Sequence, residues 1–151
     1  MASALQLDRR FRAGLYAAFA VLFATGVVWI AADRLKDSDN SEFWQATAAD
    51  LLMIHGGTAM AMLLLLGALF PTHVGRAWRG RLNRVSGIFM VTFNSVLIVT
   101  AFGLYYLGSD VVRAWFSDVH IAAGLAFPAL LVFHIWFGRR RYRIARNRGT
   151  Q

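Results

Sequence analysis

The 151-residue chain contains no cysteine. That excludes a disulfide framework, an iron–sulfur cluster on thiolates and covalent attachment of c-type haem through C-x-x-C-H, so any cofactor must be held by other ligands. Proline is almost as scarce, at two residues, and no Pro-rich or Gly/Ser-rich linker or internal repeat divides the chain. Acidic side chains number only 8 against 16 Lys and Arg. All charged residues together make up 16%, well below the roughly 25% of soluble domains. Hydrophobic residues reach 58%, an excess that calls for a solvent other than water. The net charge of +8 raises nucleic acid as a partner, but the basic residues are segregated in a way that duplex binding does not require, and the reading is no nucleic acid.

Four stretches free of charge are each long enough to cross a hydrocarbon core of about 30 Å, which takes roughly 20 helical residues. They run from Ala13 to Ala32, Leu51 to Phe70, Val85 to Leu107 and Val119 to Gly138. The first follows Arg9, Arg10 and Arg12 as a signal peptide would, but it is longer than an h-region of about 7 to 15 residues and reads as a retained helix. The connections alternate in charge. Arg9, Arg10 and Arg12, then Arg76, Arg79, Arg81 and Arg84, then six tail arginines from Arg139 to Arg148 stand against Asp8 alone, a net of +12. The other connections hold Arg34, Lys36 and Arg113 against Asp33, Asp37, Asp39, Glu42, Asp50, Asp110 and Asp118, a net of −4. The positive-inside rule then puts both termini and the second connection in the cytoplasm. Trp29, Trp44, Trp78, Trp115 and Trp136 fall at or near span ends, as interfacial anchors do. Short connections between neighbours predict an all-α fold, a transmembrane up-down-up-down four-helix bundle forming a single membrane domain over 1–151. Only the first loop, Asp33 to Asp50, is long enough to hold structure of its own. Arg139 to Gln151 reads as a basic helical extension or a disordered tail on anionic membrane lipid.

All four histidines lie on the second and fourth spans or at their ends. His55 and His120 fall near the outer ends, His73 and His134 near the inner ends. At 100° per residue, the step from His120 to His134 returns within about 40° of the same helix face and separates the two by about 21 Å. From His55 to His73 the step is five whole α-turns, about 27 Å. Two imidazoles from facing helices at each depth suit axial ligation of haem b, with two haems stacked across the bilayer. Zinc or copper fits less well, because each depth offers two histidines without a thiolate or an intramembrane carboxylate. Pro71 and Pro128 are placed to bend the helices and absorb the mismatch of about 6 Å. His73, in FPTHVGRAWR, reads either as a ligand or as an interfacial loop histidine.

Gly56 and Gly57 beside His55, and Gly124 one turn after His120, remove bulk where a porphyrin would come close; ordinary small-residue packing is the alternative. Arg76, Arg79 and Arg84 lie at the depth of an inner haem's carboxylates, Lys36 and Arg113 at that of an outer one. Asn94, with Thr92, Ser95 and Thr100, marks the middle of the third span, where its amide is expected to bond across helices or to face a cofactor.

With a histidine early in the second span and the pair in VHIAAGLAFPALLVFHIWFGR, the chain resembles the four-helix di-haem cytochrome b superfamily over roughly Phe11 to Arg140. That superfamily includes the membrane subunits of respiratory formate dehydrogenase and Ni-Fe hydrogenase and small stand-alone bacterial cytochromes b. The resemblance implies an outer haem on His55 and His120, and an inner haem on His134 with a histidine near the cytoplasmic start of the first span. This chain has Arg9, Arg10, Phe11 and Arg12 there. Either His73 takes that ligand's place, or the chain is a mono-haem variant or one whose inner haem is differently ligated. The resemblance further implies electron transfer between membrane quinone and a partner redox protein, in a multi-pass protein of the bacterial inner membrane. Two other readings are a stand-alone quinone-reducing oxidase of a small diffusible donor, and a non-redox membrane scaffold or assembly protein.

Overall fold

The computed structural model describes residues 8–80 and 84–148, with side chains as far as Arg140; Arg81 and residues 149–151 lie outside the described residues. Among the described residues the regular structure is entirely helical. The order is α1 (Arg9–Leu35), α2 (Ser41–Leu69), α3 (Gly75–Arg79), α4 (Arg84–Tyr106) and α5 (Asp110–Arg148), with a π-helical turn at Phe70–Val74 joining α2 to α3. Four helical segments are long and apolar enough to cross a membrane, as in a multi-pass membrane protein.

Each helix outruns its charge-free stretch where the flanking sequence permits. Asp8 caps α1, its carboxylate accepting from the backbone N–H of Arg10 at 3.0 Å and Phe11 at 3.4 Å. Arg9, Arg10 and Arg12 follow at the end where the helix dipole disfavours cations, so α1 itself gains nothing from them. The first connection is much shorter than the sequence suggests. Most of Asp33 to Asp50 is helix, because Ser41 to Asp50 lacks glycine and proline, is rich in alanine, and carries Glu42 in the first turn. Only residues 36–40 turn the chain. At the other end α5 continues without a break to Arg148, so the basic segment after Gly138 is a helical extension. At 39 residues α5 is about 58 Å long, well beyond a hydrocarbon core of about 30 Å.

The chain divides into two compact units, Met1–Arg76 and Ala77–Gln151. In the first, α1 packs on α2; in the second, α4 packs on α5. Only seven described residues are buried: Thr25, Ala32, Ser86, Thr100, Gly103, Ala123 and Phe127. Large apolar side chains face outward instead, Leu64 at 78% exposed and Met53 at 74%. With lipid as solvent such exposure costs nothing, and the seam between helices is left to small and polar residues. Gly103 is the tightest point of the second seam, because a Cβ there would collide with the Phe116 ring.

Hydroxyls in these helices satisfy themselves locally, since hydrocarbon offers no water. Thr47, Thr58 and Thr72 donate to the carbonyls of Phe43, Ile54 and Ala68, four residues back, at 2.7 to 2.8 Å. Proline acts differently in the two helices that contain it. α5 runs straight through Pro128. Pro71, which has no N–H and crowds the preceding turn, lies in the π-helical turn, where the Gly75 N–H reaches back five residues to the Phe70 carbonyl.

Candidate functional site

Three of the four histidines are held in the same way. His55 on α2 meets Thr25 of α1, with Nδ1 at 2.9 Å from Oγ1. On α5, His120 meets Thr100 of α4, with Nδ1 at 2.8 Å from Oγ1, and His134 meets Ser86 of α4, with Nδ1 at 3.2 Å from Oγ. Three of the seven buried residues are therefore hydroxyls whose partners are histidines: Thr25 is 8% exposed, Thr100 6% and Ser86 1%. Each histidine is itself half-buried.

The threonine geometry favours one tautomer. A hydroxyl has one proton to donate, and Thr25 places it on the Val21 carbonyl at 2.7 Å, with the Leu22 carbonyl at 3.1 Å. With that proton on the carbonyl, the oxygen accepts from His55, an arrangement that fits the tautomer with the hydrogen on Nδ1 and the lone pair on Nε2. Thr100 repeats the arrangement, donating to Val96 at 2.7 Å with Leu97 at 3.1 Å. Metal-ligating imidazoles use this form, with one nitrogen anchored as a donor and the other presented as a base. The donor set thus fits axial ligation of haem at His55 and His120. Among the described residues no three His, Asp or Glu side chains gather as a metal-holding group. A haem with two axial imidazoles does not call for one.

Small residues shape the surroundings. The His55 imidazole lies against α1 at Gly26, where a Cβ would stand in ordinary contact with it, 3.4 Å from Cε1. Gly57 and Gly124 have open space where a Cβ would stand, and Gly56 is half-buried beside His55. His73 has a different backbone setting from the other three histidines. It lies within the π-helical turn, which holds more residues per turn than an α-helix, so the five-turn phase that aligned it with His55 is displaced.

The basic candidates are engaged locally. Lys36 bonds Asp33 at 2.9 Å, and Arg113 pairs with Asp110 at 3.5 Å. Arg84 donates to the Trp78 carbonyl at 3.0 Å and lies over the Trp78 ring, while Arg76 and Arg79 are exposed. The Asn94 amide bonds the Met90 carbonyl of its own helix at 2.8 Å, in contrast to the cross-helix bond expected of it; Thr100 and Ser86 make the cross-helix bonds of α4. Thr92 and Ser95 line a groove of about 530 Å³ on the second unit, walled by Val99, Trp115 and Val119.

Thr25, Gly26 and Ser86 escape a reading of the sequence by residue chemistry, because serine, threonine and glycine are common in membrane helices. Thr25-Gly26 in the first span and Thr100 in the third are the only local signal, and they matter through helix pairing that spacing within one span does not reveal. No protein-family profile, curated protein or solved structure matches this chain.

Proposed function

We propose that this chain is a b-type cytochrome that passes electrons between a partner redox protein and membrane quinone, with an outer haem on His55 and His120 and an inner haem on His73 and His134. The observation that carries this reading is the pair of histidines on apolar helices, His55 and His120, each with Nδ1 within 2.9 Å of a buried threonine hydroxyl. An imidazole inside a membrane helix is costly unless it has a task, and this tautomer points the basic nitrogen away from the anchor.

Haem supplies one-electron redox chemistry when bound. The chain's residues hold and orient the ligands, and the apolar helices keep water from the site. Gly124 leaves open space one turn after His120, and His55 lies against α1 beside Gly26. With both termini cytoplasmic in a bacterial inner membrane, the arginine-rich face surrounds the inner site. Positive charge favours the reduced, less positive iron, so the inner site has the higher midpoint potential.

The test is the absorbance of the purified chain in detergent. Soret and α bands of b-type haem that respond to reductant, and that are lost in His120→Ala, are expected; a colourless protein from a haem-replete host ends this reading and leaves the scaffold. Reduction of quinone by the isolated chain with a small diffusible donor would instead favour a stand-alone oxidase over a subunit that needs a partner.

A further inference from the structure

Two threonines on different hairpins present the same atom, in the same state, to a histidine. Thr25 and Thr100 are buried, both commit their hydroxyl proton to the carbonyl four residues back at 2.7 Å, and both then lie within 2.9 Å of an imidazole Nδ1. A threonine that merely satisfied its own hydroxyl would stop at the carbonyl, as Thr47, Thr58 and Thr72 do.

We propose that Thr25 and Thr100 are positioning residues that set the tautomer, ring orientation and donor strength of His55 and His120 as iron ligands, an inference that rests on the bis-histidine reading. An acceptor on the far nitrogen raises the basicity of the ligating one, and its strength grades the effect. A carboxylate acceptor pulls hard on the Nδ1 proton and favours ferric iron. A neutral hydroxyl whose own proton is already committed pulls gently. The outer haem therefore sits at a higher potential than a carboxylate-backed pair would give. Removing the hydroxyl, which leaves His55 its bond to the Leu22 backbone, moves the potential further up, because the less basic imidazole stabilises ferric iron less. It also loosens the ring's orientation, so haem is held more weakly. The two threonines act on opposite ligands, so their effects have the same sign.

The test uses the full haem-loaded chain in detergent, with Thr25→Val, Thr100→Val and the matching Thr→Ser variants, read by redox titration and by the low-spin ferric EPR signal. Each valine variant is expected to raise one midpoint, to change that haem's EPR signature, and to weaken haem retention by about tenfold, the low end for loss of such a partner. The serine variants restore both readouts. Valine variants with unchanged midpoint and EPR signal would overturn the proposal, because a purely structural threonine changes stability and neither of these. Should valine prevent folding, the wild-type ferrous protein labelled with ¹⁵N-histidine decides. Slowly exchanging Nδ1–H signals from His55 and His120 are expected, and rapid exchange at both would overturn the assignment. Failure of the underlying haem reading is distinguishable, since the wild-type chain would then carry no haem to titrate.

Discussion

The two hairpins solve one problem with different regularity. In the second, α5 stays α-helical from His120 through Pro128 to His134, and α4 meets both histidines with a hydroxyl, at Thr100 and Ser86. In the first, α1 meets only His55, through Thr25, and α2 passes into a π-helical turn before His73 is reached. Periodicity alone puts each histidine pair on one face of its helix, about 21 Å apart in one and about 27 Å in the other. The backbone makes them unlike: one pair keeps its phase, and the other loses it at a proline. Such π-turns concentrate at functional sites, where an extra residue in the turn redirects a side chain.

The sharpest way to break this comparison is at the inner histidines. His73→Ala and His134→Ala should remove the same haem equivalent, measured as haem per protein. Full retention in His73→Ala with loss in His134→Ala would show that the irregular hairpin contributes no inner ligand. A smaller effect is expected at the seam of the second hairpin. Gly103→Ala forces the Phe116 ring to move and should destabilise the protein by about 1–3 kcal/mol, read as a lower thermal midpoint. Smaller again is Pro71→Ala, which restores a backbone donor and lets the π-turn relax toward α-helix. It should shift the inner haem's midpoint and leave the outer one in place. The least effect belongs to Asp33→Asn. Asp33, by hydrogen bond first and charge second, raises the pKa of Lys36 above the usual lysine value, so the pair's contribution is complete at neutral pH and is lost only as pH climbs past that raised value. Both groups are well exposed, so the neutral-pH melting temperature should not change measurably.

The four long helices were legible because hydrocarbon demands long apolar stretches, and charge-free windows report them directly. Their ends were not, since helix continues into polar sequence wherever alanine and a first-turn acid allow it, as from Ser41 to Asp50. His55 and His120 were visible as histidines where histidine is costly. Their anchors were not, because Thr25 and Thr100 resemble other threonines until the helices are paired. The π-helical turn around His73 was not legible: counting 3.6 residues per turn assumes an unbroken α-helix, and Pro71, expected only to bend the helix, lies inside that turn.

The proposed function stands or falls on His55 and His120 serving as ligands of one haem. The measurement that bears on it most directly is the haem-to-protein ratio of His55→Ala, His120→Ala and the double variant. If the two share a haem, each single variant loses the same equivalent as the double. Losses that add, or a double variant with unchanged haem, would contradict it.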